Sequence, residues 1–163
     1  MLNQQARAMD MEYQNKVLES EQYPTWVENF VDIYQQLSVD NLQLLSQIYH
    51  QDIHFIDPMH EIHGFDSLAK YFANLYQNLQ SCTFTITDVI CAKHSAAIYW
   101  RMTFTHPKLN SAKPVTVEGT SMIKNDGMKV IYHRDYLDVG AMLYEHIPVL
   151  GSLVRAVKKR AGK

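Results

Sequence analysis

Cysteine is nearly missing from this chain, two residues in 163, and Cys82 and Cys91 match no zinc-ligand or redox spacing. That excludes a disulfide-built scaffold and leads us to expect a reduced, cytoplasmic setting. An excess of charge is missing too. The formal net charge is -2 at pH 7, so nothing global suggests nucleic-acid binding. No run is long and apolar enough to span a bilayer, and Met1 to Gln5 show no hydrophobic leader core. What is present is a globular composition, 47% hydrophobic and 20% charged. The length suits one domain with a sizeable core.

Residues 1–22 are rich in Gln and Glu with few apolar anchors, and are expected to form a loosely attached arm. The domain proper is placed at 23–140. Pro24 and Thr25 are good helix-start residues, and Trp26, Phe30, Ile33, Tyr34 and Leu37 follow at helical spacing. Asp40 or Asn41 caps a second short helix with Leu42, Leu45, Ile48 and Tyr49 inside. Ile53 to Asp57 reads as a strand stopped by Pro58, and Met59 to Gly64 as a loop. A third helix starts at Phe65 and runs to about Leu79, its stripe being Leu68, Tyr71, Phe72, Leu75 and Leu79. From Cys82 the period becomes two, giving long strands joined by short turns, an antiparallel meander. Helices first and strands after make the fold class α+β, with a curved antiparallel sheet backed by N-terminal helices. Residues 141–163 form a basic amphipathic helix interrupted near Pro148 and Gly151. It fits a membrane surface or an acidic partner, but the expected reading is that it closes over the barrel mouth or over a dimer partner.

The chemistry concentrates in the last strand, Val130 to Asp138, with Asn125-Asp126-Gly127 as its hairpin turn. Alternation puts Ile131, His133, Asp135 and Leu137 on one face. His133 and Asp135 therefore point the same way, either into a ligand site or simply at each other. Asp57 shares a face with Ile53 and Phe55 at a strand end, where a carboxylate serves as an acid or base, or caps the following turn. On strand 96–104, Tyr99 and Arg101 face one way, and Ile98, Trp100, Met102 and Phe104 the other; the pattern leaves open which side meets the pocket. Large groups on both faces of that strand predict a homodimer through the outer sheet face. Gly119 and Ser121 are small, and the hairpin register is expected to set them near His133 and Ile131, leaving room for a ligand. His54, His60, His63 and His133 complete no ligand motif, so no metal is expected.

The order of elements, the Asp57-Pro58 strand end and the closing His133-Arg134-Asp135-Tyr136-Leu137-Asp138 segment resemble the nuclear transport factor two-like superfamily, and within it the SnoaL-like group. The resemblance covers roughly residues 24–140. It implies a cone-shaped, cystatin-like α+β barrel, often dimeric, with a pocket between sheet and helices. Ile53 to Pro58 is similar to the ketosteroid isomerase segment whose Asp shuttles a proton, which would be Asp57. The helix-one tyrosine of that enzyme falls on Ile33, beside Tyr34. The closing strand resembles that of limonene epoxide hydrolase, whose water-activating Asp would be Asp135 and its arginine partner Arg101. The second Asp of that enzyme is Thr103 here, and its water-holding Asn is Asp57. The implied site is Asp57, Arg101, His133 and Asp135, walled by Phe55, Tyr99, Trp100 and Met102. Two functions follow. One is cofactor-independent acid–base catalysis (isomerase, cyclase, dehydratase or hydrolase) on a small, mostly apolar molecule. The other is a pocket that binds a ligand or a protein without chemistry.

Overall fold

The apolar spacing after Pro24 becomes a helix with one wet side. In the computed structural model, which describes residues 23–161, α1 (Thr25–Gln36) buries Trp26, Val27, Phe30, Ile33 and Tyr34, and Leu37 follows them into the core. The expected arm over 1–22 lies outside the described residues. After a 3-10 turn (Leu42–Leu44), α2 (Leu45–Ile48) is a single turn, because Tyr49 already belongs to β1 (Tyr49–Ile56). The stretch expected as a loop before Gly64 contains a further short strand, β2 (Glu61–His63), paired antiparallel with β1. Gly64, at φ +82°, then turns the chain into α3 (Phe65–Gln77). That helix buries Leu68, Phe72 and Tyr76.

The meander follows as expected: β3 (Ser81–Ala92), β4 (Ser95–Thr105), β5 (Val115–Asp126) and β6 (Lys129–Leu137). The six strands lie in the order β2-β1-β6-β5-β4-β3, and only β1 and β6 run parallel. The sheet is curved but stays open, with β2 and β3 as edges, so the expected barrel does not close. α1 packs on β3 and α3 on β1, which puts all the helical cover on one face. Ile53, Phe55, Ile98, Trp100, Phe104, Ile123 and Val130 fill the space between.

Beyond β6, α4 (Val139–Met142) is capped by the Asp138 side chain, which accepts from the Ala141 N–H. That bond and the Lys158 ammonium hold the Asp138 carboxyl below its usual range. The interruption at Pro148 is present, and α5 (Leu150–Ala161) follows it. This helix does not close over the sheet with its apolar side. Gly151, Arg155 and Lys158 hold it to Glu145 and Asp138, while Leu153 and Val157 stand 62% and 59% exposed. The polar groups win because Glu145 offers a backbone carbonyl and a carboxylate at the point of contact. Met142 and Leu143, from the α4 segment, line the cavity instead.

Candidate functional site

Between the sheet and the helices lies a cavity of about 550 Å³. Its walls are apolar: Phe55, Phe72, Phe84, Trp100, Met102, Phe104, Leu137 and Met142 among them. Phe55, Trp100 and Met102 therefore stand where the sequence put them. Two of the polar groups that reach it are carboxylates, Asp135 and Asp57, and among the described residues no Lys or Arg lines it.

The first group is built on β6. Alternation from His133 points Asp135 and Leu137 into the same side as expected. His133 is fully buried and sits directly behind Asp135, caged by Phe30, Phe55 and Tyr49 at ring distances of 5.6, 4.9 and 5.9 Å. Its Nε2 lies 2.7 Å from Asp135 Oδ1, and its Nδ1 lies 2.6 Å from the Tyr49 hydroxyl. Tyr49 in turn lies 2.5 Å from the Tyr34 hydroxyl. Burial, more than any other influence, raises both phenols well above their ordinary range, so both keep their protons. The proton positions then follow by satisfaction. Tyr34 donates to Tyr49, Tyr49 donates to Nδ1, and the Nε2–H donates to Asp135, so each buried hydrogen has an acceptor. The opposite histidine tautomer would set a lone pair against the carboxylate and leave the Tyr34 proton without an acceptor.

Ser121 completes the group, donating to Asp135 Oδ1 at 2.5 Å and accepting from Trp100 Nε1–H at 2.9 Å. Asp135 Oδ1 thus takes two donors. Among the described residues no donor meets Oδ2, and the side chain keeps 17% of its surface open.

The expected register is wrong by four positions. Gly119 pairs with Leu137 and Ser121 with Asp135, because β5 runs on through Asp126 and Gly127-Met128 make the turn. A bulge at Ile131 shifts the pairing between Lys124 and Asn125. Val130 therefore turns into the core, and Ile131 is not part of the cavity wall. Gly119 is not a lining residue either. It lies opposite Trp100, and a Cβ there would collide with the indole and come within 2.8 Å of the Tyr136 carbonyl. Gly119→Ala is therefore expected to cost about 1–3 kcal/mol by overpacking and to pull the indole off Ser121. Urea unfolding, with a change in tryptophan emission of the folded protein, checks both.

The second group is built on the turn between β1 and β2. Asp57 Oδ1 accepts from the Met59 and His60 N–H groups, each at 2.7 Å, and Oδ2 accepts from the Tyr71 hydroxyl. These contacts are those of a turn cap, one of the two readings of this residue. Burial, followed by the Asp57 hydrogen bond, raises the Tyr71 phenol well above its ordinary range. The Asp135 charge acts on it as well, so Tyr71 feels both carboxylates.

Arg101 is not in the site. It lies on the outer face of β4 and pairs with Glu118 at 2.7 Å, with half of its side chain exposed. Tyr99 shares that outer face at 40% exposure. The inner face of β4 carries Ile98, Trp100 and Phe104, whose apolar surface belongs against the helices. The histidines also separate. His60 lines the cavity and His133 is buried behind it, whereas His54 and His63 meet on the far side of the sheet.

Tyr34, Tyr49, Tyr71 and His60 are the members that sequence reasoning missed. Tyr34 and Tyr49 read as apolar core at helical spacing. The signal available was that a buried tyrosine hydroxyl requires a partner.

No curated protein matches this sequence. Solved structures show the fold. A candidate SnoaL-like polyketide cyclase from Jannaschia sp. is 13% identical, with 76% of this chain and 94% of that one covered and a TM-score of 0.67. A protein of ketosteroid isomerase-like fold from Catenulispora acidiphila, in complex with trimethylamine, is 15% identical over 75% and 92%, with a TM-score of 0.64. A candidate SnoaL-like polyketide cyclase from Shewanella putrefaciens is 18% identical over 74% and 95%, with a TM-score of 0.63. A model of the SnoaL-like domain matches residues 27–133, from α1 through the buried histidine. The helix-backed open sheet is that of a SnoaL-like domain, and the chain belongs to that family.

Proposed function

We infer that the cavity binds a small, neutral, mostly apolar carbonyl compound and moves a proton on it without a cofactor. The observation that carries this is Asp135: one carboxylate oxygen is held by His133 and Ser121, and the other is uncommitted at the wall of an apolar cavity. A fixed carboxylate in such a place is a general base. Oδ2 takes a proton from the carbon next to the carbonyl, the C–H electron pair becomes the enolate double bond, and the charge moves to oxygen. The Tyr71 hydroxyl, held protonated, turns from Asp57 to that oxygen, while Asp57 keeps its two backbone donors. Return of the proton to a different carbon of the enolate system completes an isomerisation. Where a second carbonyl lies within reach, the enolate carbon attacks it instead, its C=O π pair moves to oxygen, and the proton passes from Asp135 to that alkoxide as the ring closes. Relatives of this fold include candidate polyketide cyclases, which supports a substrate rich in carbonyl groups.

The test needs no knowledge of the product. A panel of polycyclic ketones and 1,3-diketones in D2O, followed by proton NMR, is expected to show protein-dependent loss of the α-proton signal for those compounds that quench Trp100. Compounds that quench without exchange would favour a pocket that binds and does no chemistry.

The same reading has two copies meeting through the outer sheet face, where Ile90, Tyr99 and Tyr136 stand 59%, 40% and 47% exposed. Light scattering at tens of micromolar protein is expected to give twice the chain mass. A monomer mass would sink the pairing and leave the cavity chemistry untouched.

A further inference from the structure

The outer face of the β1–β2 hairpin holds a group of side chains that the cavity does not use. His54 and His63 are directly opposite in the register of the two strands, and Glu61, two residues before His63, lies on the same face. The two imidazoles stack with centroids 4.3 Å apart and planes 18° from parallel. Glu61 Oε1 is 2.8 Å from His54 Nε2 and 3.6 Å from His63 Nε2. The three ligand atoms lie within 4.8 Å of one another.

We propose that His54, Glu61 and His63 form a binding site for a divalent transition-metal ion, with Zn2+ the expected occupant. Two imidazoles and one carboxylate are the borderline donors such an ion prefers over magnesium or calcium. Around a tetrahedral zinc with bonds of about 2.0–2.1 Å, donor atoms stand about 3.3–3.4 Å apart, a spacing bracketed by the separations found here. The side chains are 33%, 59% and 71% exposed for His54, Glu61 and His63, so small rotamer changes bring them together without moving backbone. A fourth position stays open to water. The Tyr132 ring stands edge-on to His54 at 5.5 Å and limits its swing.

The location gives the ion something to do. β2 pairs at only three positions and lies at the sheet edge, so this hairpin is the least supported part of the sheet. Its turn carries Asp57 and His60 into the cavity wall. An ion bridging the two strands on the outside would hold that turn, and so couple metal binding to the shape of the pocket.

Untagged full-length protein titrated calorimetrically with Zn2+ is expected to bind one ion per chain, and Co2+ to give the strong visible bands of a low-coordinate site. His63→Ala and His54→Ala should each weaken binding more than tenfold, whereas His94→Ala, at an exposed histidine on another turn, should leave it unchanged. Glu61→Gln removes the charge with its shape kept, and is expected to weaken binding even if a histidine variant misfolds. Absence of one-to-one binding, or equal binding in Glu61→Gln and the parent, would overturn the site. So would an equal loss in His94→Ala, which would indicate adsorption to surface histidines in general.

Discussion

Asp135→Asn is expected to lower catalysed α-proton exchange by about 10²–10⁴-fold, the usual contribution of a positioned general base. The amide is the same size, and its oxygen still accepts from the His133 Nε2–H and the Ser121 hydroxyl that now meet Oδ1. The fold and the apolar walls therefore persist, and ligand quenching of Trp100 should change little. What disappears is the basic lone pair at the second oxygen. Asp57→Asn is the informative comparison. The Asp57 carboxylate is occupied by two backbone donors and Tyr71, so its loss should disturb the turn and leave most of the exchange in place. Exchange rates of the two variants, measured with the same ketone, decide between the carboxylates. Equal losses would mean that Asp135 is not the base.

Tyr49→Phe should destabilise the protein by about 2–5 kcal/mol, far more than the loss of one hydroxyl on a surface. Tyr49 is in the middle of the buried chain, receiving from Tyr34 and donating to His133 Nδ1. Removing its oxygen strands the Tyr34 proton and the Nδ1 lone pair together, and each buried unsatisfied group costs about 1–3 kcal/mol. Tyr34→Phe removes the end of the chain instead. Tyr49 still donates to His133, and only an acceptor site on its oxygen is unfilled, so the cost should be about 1 kcal/mol. Urea unfolding of the two variants gives the comparison. Equal values would mean that the donors do not run in one direction from Tyr34 to Asp135.

Some of the site was legible because strand alternation is a local property. His133 and Asp135 had to share a face two residues apart, and Pro58 had to stop the strand near Asp57, which lies in the turn just beyond Ile56. Trp100 and Met102 shared a face for the same reason. The resemblance supplied which side of the sheet holds a pocket, yet it carried Arg101 there as well. The alternation already set Arg101 opposite Trp100, so both could not line one cavity.

The remaining differences come from interactions that local pattern does not encode. The bulge at Ile131 and the Gly127-Met128 turn shifted the β5–β6 register, and a shift of that kind moves every cross-strand partner at once. The tyrosines were visible but their partners were not: Tyr49 meets His133 across 84 positions of sequence, and Tyr71 meets Asp57 across 14. The helix α5 does not close over the cavity: its apolar stripe suggests burial, while the contacts to Glu145 and Asp138 attach it to its own chain by its polar side.

By itself, then, the sequence determined the helix-then-strand order, the inward-facing core of α1, the burial of Leu68 and Phe72 on α3, and the pairing of His133 with Asp135 on one face. These follow from periods of 3.6 and two that each segment carries in its own residues. The tertiary structure alone decided that the sheet stays open, that Arg101 faces outward to Glu118, and that Tyr34, Tyr49, His133 and Asp135 form one directed hydrogen-bond chain. Those outcomes depend on strand register and on which buried polar group finds a partner, and both are settled only when distant segments pack.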